Sequence, residues 1–111
     1  MSSDPLTEFG RYSGPATLIM SSLADGPKHG YALTKDIEGF ASVRVAPGTM
    51  YEALARLERL GLIEPVASDD RRRPYRLTAH GAVALQAQLD AQRRIAEVGL
   101  DRLASNPAAG R

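Results

Sequence analysis

The segment APGTMYEALARLERLG, residues 46–61, has the pattern of an amphipathic α-helix and a signal for each of its ends. Pro47 suits the first helical position, where no backbone N–H is missed, and Gly61 suits the left-handed residue that closes a helix. The segment therefore predicts a helix of about four turns. Its apolar residues recur at steps of three and four, which places them on one core-directed face: Met50, Ala53, Leu54, Leu57, Leu60 and Gly61.

The opposite face of this helix is polar and becomes basic toward its end. One interpretation makes Glu52 and Arg56, four positions apart, an exposed ion pair worth about a few tenths of a kcal/mol. The other makes the face a DNA reader, in which arginines reach phosphates or guanine edges and Glu52 accepts from a cytosine amino group. The outward residues are Gly48, Glu52, Ala55, Arg56 and Arg59, with Thr49 and Tyr51 at the edges.

The sequence after Gly61 predicts a hairpin with a charged tip. Residues 62–66 indicate a strand at a sheet edge or bulge, because Pro65 lacks an N–H. Residues 68–70 have turn chemistry, and residues 71–77 alternate as a second strand would. A run of arginines at such a tip is often only solvated, but a position beside the preceding helix favours contact with DNA phosphates. The tip arginines are Arg71, Arg72 and Arg73.

Two further helices are expected upstream. The first begins near Gly14 and stops at Gly26, and the second follows a tight connection and ends near Gly39. Residues 41–45 form either an extended connection or a small first strand. The inward residues are Ala16, Ile19, Met20 and Leu23 in the first helix and Leu33, Ile37 and Phe40 in the second.

Four polar residues around the start of the second helix receive separate assignments. His29 is expected to cap that helix rather than to act as a base or metal ligand, because the other histidine lies on a different element. Tyr31 is interpreted as a packing residue, and the alternative is that its hydroxyl contacts a phosphate. Lys28 and Lys35 are candidate outer phosphate contacts, with Lys35 on the more exposed side.

Residues 78–104 predict one long helix that begins at Thr78, a good N-cap. The stripe of apolar and small residues along one face of this helix could pack back on the chain's own domain. A helix of about 25 residues spans nearly 40 Å, however, so part of the stripe needs a second chain. The predicted dimerisation seam consists of Leu85, Leu89, Gln92, Ala96, Gly99, Leu100 and Leu103.

Composition limits the remaining possibilities. The chain has 111 residues and no cysteine. Its 14 Lys and Arg nearly balance its 13 Asp and Glu, so net charge alone does not indicate a nucleic-acid partner. The absence of cysteine suits a reducing cytoplasm and excludes thiol nucleophiles and thiolate metal sites. No apolar run has the roughly 20 residues of a membrane span, and no catalytic constellation, metal site or cofactor site is recognised. The expected division is an N-terminal arm or short helix (1–13), a DNA-binding domain (14–77), a dimerisation helix (78–104) and a disordered tail (105–111).

This ordered series of motifs resembles the PadR family of bacterial transcriptional regulators, in the short form with one C-terminal helix. The resemblance implies a homodimeric winged-helix repressor whose C-terminal helices pair across the two-fold axis and whose recognition helices read a palindrome. Glu52 stands where the family commonly has proline. The residues that carry the resemblance are 29–33, 47–51, Leu54, Leu57, 61–63, 73–78 and Gly81.

The expected fold is therefore mainly α with a small β-hairpin, a winged helix-turn-helix followed by a long dimerisation helix. The expected function is sequence-specific binding of palindromic operator DNA, with repression relieved by a signal or a small-molecule effector. The alternative is a winged-helix module that binds a protein instead of DNA; salt-dependent DNA binding separates the two. The predicted DNA-binding residues are Lys35, Gly48, Thr49, Tyr51, Glu52, Arg56, Arg59, Arg71, Arg72 and Arg73.

Overall fold

Four helices and a two-stranded antiparallel sheet make up the part of the chain that the computed structural model describes, residues 14–68 and 71–108. This composition and order confirm the expected mainly helical, winged helix-turn-helix fold with a long C-terminal helix. The predicted N-terminal arm, Asp69, Asp70 and the last three residues of the predicted tail lie outside the described residues. The elements are α1 (Gly14–Leu23), α2 (Gly30–Ala41), α3 (Pro47–Arg59), β1 (Ile63–Pro65), β2 (Tyr75–Leu77) and α4 (Ala79–Ala104).

The core lies between α1, α2, α3 and the first half of α4. Each predicted stripe supplies residues to it, and Ile19, Leu33 and Ile37 are fully buried. One polar residue, Ser22, is buried with them, and its hydroxyl donates to the Asp36 carboxylate at 2.6 Å. This bond satisfies a polar group inside the core, where an unpaired hydroxyl would destabilise the fold. The core residues are Ile19, Met20, Leu23, Leu33, Ile37, Val45, Met50, Leu54, Leu57, Ile63 and Leu85.

The helix ends follow the local signals of the sequence. The Nδ1 atom of His29 accepts from the N–H of Ala32 at 3.3 Å, so this histidine caps α2 as predicted. Thr78 caps α4 by accepting from the N–H of Gly81 at 2.9 Å. At the end of α3, Gly61 has φ of 75°, and the N–H groups of Gly61 and Leu62 donate to the carbonyls of Glu58 and Leu57. This pair of bonds is a Schellman motif.

Two core predictions were wrong. Leu60 is 56% exposed because α3 ends one residue earlier, at Arg59. The left-handed turn at Gly61 then changes the chain direction, and Leu62 packs against the core instead. Phe40 keeps the helical phase of Leu33 and Ile37, yet it is 52% exposed because no element among residues 14–68 and 71–108 covers the last turn of α2. Residues 42–46 form an irregular connection rather than a strand, beginning with a left-handed Ser42, and the side chain of Val45 is buried.

The wing is shorter than predicted. Strand β1 pairs with β2 so that Ile63 faces Leu77 and Pro65 faces Tyr75. The N–H of Tyr75 donates to the carbonyl of Lys28 at 2.9 Å, and the carbonyl of Tyr75 accepts from the N–H of Lys28 at 3.0 Å. Tyr75 therefore needs no hydrogen-bond donor from the residue opposite it on β1. Pro65 is therefore tolerated inside the pairing. An ion pair between Arg76 and Glu64, at 2.7 Å, joins the exposed sides of the two strands.

Helix α4 packs on the domain only with its first half. Leu85 belongs to the domain's own core and Leu89 packs against it, so these two residues of the predicted dimerisation seam are occupied within the chain. From Arg93 onward every residue of the helix is exposed, including Ile95, Leu100 and Leu103. No helix of the described residues is both long and apolar enough to span a bilayer. Residues 105–108 form a turn against the end of α4.

Candidate nucleic-acid interface

A groove of about 840 Å³ lies between α2, the beginning of α3 and the tip of the wing. Among the residues that the structure describes, five basic residues line it against one acidic residue, Glu38, an excess of four positive charges in this described lining. Basic side chains gathered in a concave surface raise the local concentration of anions and speed their association. The basic lining residues are Lys35, Arg44, Arg71, Arg72 and Arg73.

One wall of the groove is a polar face of α2. Tyr31, Thr34, Lys35 and Glu38 follow the spacing i, i+3, i+4, i+7, which puts all four on one side of the helix. Tyr31 is 68% exposed, so its expected role as a packing residue was wrong. The Thr34 hydroxyl donates to the carbonyl of Gly30 at 3.1 Å and keeps its lone pairs for an incoming donor. This wall offers two hydroxyls, one cation and one carboxylate to a ligand.

The opposite wall is the first half of α3. The predicted contact residues of this helix do not all face the groove, and they lie at different positions around the helix. Tyr51 lines the groove and is 72% exposed. At about 100° per residue, Arg56 points roughly 140° away from Tyr51, so it lies with Thr49 at the far edge of the helix. Gly48, Glu52 and Arg59 occupy the surface between these edges, and all three are exposed. A ligand that touched every predicted residue would have to wrap around the outer half of α3.

The outer face of α3 carries no internal pairing between its charges. Glu52 and Arg56 form no ion pair with each other within residues 14–68 and 71–108, although their spacing permits one. The interpretation of these residues as a mere exposed pair thus loses its structural basis. Helix α4 does not cover this face, since its main contacts are with α1 and β2 and the outward residues of α3 are exposed.

The start of α3 exposes unpaired backbone donors. Ala46, the N-cap residue, has no side chain that can accept a hydrogen bond, and the first helical bond runs from the N–H of Met50 to its carbonyl at 2.9 Å. The N–H groups of Gly48 and Thr49 therefore have no partner within the helix. Both residues are exposed, and the helix dipole makes this end attractive to an anion.

The third wall is the wing tip. Arg71 and Arg72 lie in a turn, and Arg73 is left-handed with φ of 39°, directly before Pro74. The prediction that these three arginines begin the second strand was wrong, because Arg73 departs from the extended conformation and pairing starts only at Tyr75. A left-handed arginine costs about 1–2 kcal/mol. The turn brings all three arginines to the groove.

The groove also contains Arg44 and Thr34, which the predicted set lacks, and Tyr31, for which a phosphate contact was only the secondary interpretation. The spacing on α2 could have identified Tyr31 and Thr34, but Arg44 lies in an irregular connection with no period to follow. The Lys28 ammonium donates to the Ser22 carbonyl and the Asp25 carboxylate, which argues against the phosphate contact expected for it. The hydrogen bond and the charge of Lys28 lower the pKa of the Asp25 carboxyl below its ordinary value.

No cluster of three potential ligands for a metal ion occurs within the parts of the chain that the structure describes, residues 14–68 and 71–108. The surface thus consists of cations, hydroxyls, backbone donors and the exposed carboxylates of Glu38 and Glu52. Such a surface suits an extended polyanion.

Comparisons with known proteins show which family and which solved structures the chain resembles. Residues 19–87 match the model of the Transcriptional regulator PadR-like family. An uncharacterised 37.1 kDa protein of transposon TN4556 from Streptomyces fradiae is 39% identical over 103 residues, which cover 83% of this chain and 30% of that protein. Transcriptional regulator Rv3488 of Mycobacterium tuberculosis is 40% identical over 70 residues, which cover 60% of this chain and 64% of that protein.

The chain thus spans less than two thirds of the length of either of these relatives. Among solved structures, a PadR family transcription regulator from Clostridium difficile superposes with a TM-score of 0.72 at 30% sequence identity. That superposition covers 79% of this chain and 96% of the other.

Proposed function

The chain belongs to the PadR-like family of transcriptional regulators, and from this premise we propose that it is a homodimeric repressor of transcription. Members of this family bind DNA to regulate transcription and are not enzymes. The finer proposal is that this chain binds a palindromic operator and that a signal or small-molecule effector releases it. The observation that carries the DNA-binding part is the groove, whose described lining has an excess of four positive charges, beside the exposed outer face of α3.

The groove is proposed to hold the phosphate backbone of one DNA strand. Its cations are spread over α2, the connection before α3 and the wing, so they can neutralise successive phosphates along a strand. Each phosphate neutralised releases counterions, which makes affinity fall as salt rises. Lys35, Tyr51 and the three wing arginines would act here, while the backbone donors of Gly48 and Thr49 would bind a phosphate at the start of α3.

The outer face of α3 is proposed to read base edges in the major groove. An arginine donates two hydrogen bonds to guanine, and a carboxylate accepts one from the cytosine amino group. Glu52, Arg56 and Arg59 are exposed, and Glu52 and Arg56 are not paired with each other within the described residues. Desolvating them against DNA would therefore break no bond between them. Glu52 would give this chain a base preference that a proline at that position cannot provide.

The second half of α4 is proposed to pair with the same helix of a second copy. The exposed large apolar residues of this half would be covered by a partner helix packed along the seam. Since Leu85 and Leu89 are occupied in the chain's own domain, the seam is carried by Gln92, Ala96, Gly99, Leu100 and Leu103. Two-fold pairing would place two recognition helices on inverted half-sites about 10 bp, or a multiple of it, apart.

An effector would bind between the helices of the two copies, next to this seam. The sequence contains no tryptophan, so aliphatic side chains rather than indole rings would hold an apolar ligand. Binding that favoured one arrangement of the paired helices would change the spacing of the recognition helices and so the affinity for the operator.

The test is selection of retained fragments from a pool of random duplexes, followed by sequencing. The expected result is enrichment of an inverted repeat, with binding that weakens steeply as salt rises. The matched control is a variant with Lys35, Arg71 and Arg73 all changed to alanine, which should retain little DNA. Binding that is insensitive to salt and shows no preference over random DNA would instead indicate a protein-binding winged helix.

A further inference from the structure

Lys28 joins two walls of the groove through its main chain. Its N–H donates to the carbonyl of Tyr75 at 3.0 Å, and its carbonyl accepts from the N–H of Tyr75 at 2.9 Å. The next residue, His29, caps α2, and Tyr75 lies two residues after Arg73 at the wing tip. The main-chain pairing of Lys28 with Tyr75 therefore lies next to both walls and fixes how far the wing arginines are from α2.

The side chain of Lys28 is committed to the turn that carries this pairing. Its ammonium donates to the carbonyl of Ser22 and to the carboxylate of Asp25, and the side chain is only 17% exposed. Ser22 in turn donates from its hydroxyl to Asp36 on α2. The ammonium therefore connects the end of α1 to the connection that leads into α2.

The same contacts make Lys28 a poor phosphate ligand. An ammonium has three donor hydrogens, and two of them are engaged within the protein. Moving it to a phosphate would leave the Ser22 carbonyl and the Asp25 carboxylate without their partner. Lys35 provides the contrast, because it lies on α2, is exposed and lines the groove.

We infer that Lys28 is a positioning residue for the DNA-binding surface. Its ammonium holds the turn between α1 and α2 in the conformation in which its main chain pairs with Tyr75. That pairing sets the separation of the α2 wall from the wing arginines. The consequence for DNA rests on the proposed function, whereas the consequence for the separation of the walls does not.

The first experiment compares Lys28→Met with Lys35→Met, which remove the same ammonium and keep a similar aliphatic stem. Affinity for the selected operator is measured over a series of salt concentrations. Lys35→Met should lower the slope of log affinity against log salt by about one, as expected for one lost phosphate contact. Lys28→Met should weaken binding by roughly twofold to thirtyfold, as is typical of mutations that act through a second element, without changing the slope. Lys28→Arg should restore the affinity.

The second experiment measures the separation of the walls without DNA. Because the chain has no cysteine, two can be introduced and labelled with nitroxides, at Glu38 on α2 and at Ala67 on the wing loop. The distance distribution should be narrow in the parent and in the Lys35→Met variant. It should broaden or shift in Lys28→Met and return in Lys28→Arg. Circular dichroism shows whether each variant is folded, and Asp25→Asn is the milder substitution, expected to shift the distribution in the same direction.

Two results would overturn the inference. A salt slope reduced by one in Lys28→Met would make Lys28 a phosphate contact. A distance distribution unchanged in both Lys28→Met and Asp25→Asn would show that the ammonium does not position the wing, whether or not the chain binds DNA. If the parent chain binds no DNA but the distance distribution still broadens in Lys28→Met, the proposed function is refuted and the positioning role of Lys28 is retained.

Discussion

A Cβ atom on Gly81 would overlap the carbonyl oxygen of Leu62 and lie 2.9 Å from its carbonyl carbon. The first turn of α4 therefore packs directly on the main chain that leads from α3 into the wing. The same carbonyl accepts from the N–H of Thr78 at 3.1 Å, and the Thr78 hydroxyl donates to the carbonyl of Gly61 at 2.7 Å. The end of α3, the wing and α4 meet at this junction.

Gly81→Ala is expected to destabilise the protein. The added methyl group meets backbone rather than a flexible side chain, and overpacking of this kind costs about 1–3 kcal/mol. The control is Gly39→Ala in α2, where a Cβ meets nothing within 4 Å and the change should stabilise by about 0.5–1 kcal/mol. Urea denaturation followed by circular dichroism measures both. Equal midpoints for the two variants would contradict the close packing at Gly81.

Thr78→Ala is expected to cost about 1 kcal/mol, and up to about 2, because the variant loses the N-cap of α4. It also loses the bond to the Gly61 carbonyl. Thr78→Ser retains the hydroxyl and serves as the control, with a free energy of unfolding close to that of the parent. A serine variant as unstable as the alanine variant would assign the effect to the methyl group instead.

Arg73→Ala and Glu52→Ala should affect DNA binding in different ways. Arg73→Ala removes a proposed phosphate contact, so affinity should fall by the same factor on operator and random DNA, with a salt slope smaller by about one. Glu52→Ala removes a proposed base contact and should relax the preference at one position while leaving the slope in place. Fluorescence anisotropy with both DNAs at several salt concentrations gives these quantities. Identical responses of the two variants would refute the assigned roles.

Ala96→Arg is expected to break the proposed dimer. Ala96 lies on the predicted seam, where an arginine would be too large and too polar for close helix packing. Asp101→Arg places the same side chain on the other side of α4, roughly 140° away by helical phase, and should leave the dimer intact. Sedimentation velocity measures the mass of each variant. A dimeric Ala96→Arg protein would move the interface elsewhere.

The ion pair between Lys28 and Asp25 should make a small contribution to stability that depends on pH. The ordinary pKa of this carboxyl is 3.8, and Lys28 lowers it in the folded chain. The contribution is fully present above the unfolded value and is lost as the pH falls through the lower folded value. The difference in unfolding midpoint between the parent and Asp25→Asn should therefore shrink as the pH falls below about 4. A difference that is constant with pH would exclude the pair as its source.

The sequence alone determined the fold class and several helix ends, because the signals involved are local. Pro47 and Gly61 bracket α3, and His29 and Thr78 cap α2 and α4 through bonds to residues three positions away. Such interactions depend on backbone geometry within one turn and can be recognised without knowing what the helix packs against.

Only the tertiary structure decided which side chains meet. Helical phase puts Phe40 in line with buried residues but cannot tell whether another element covers it. A lysine in a turn looks like a ligand for phosphate until the fold brings the Ser22 carbonyl to its ammonium. Arg44 joins the wing arginines across a groove built from four separate segments. Burial and charge at these positions depend on chain segments that are far apart in sequence. Periodicity within one helix does not show which of those segments pack against it.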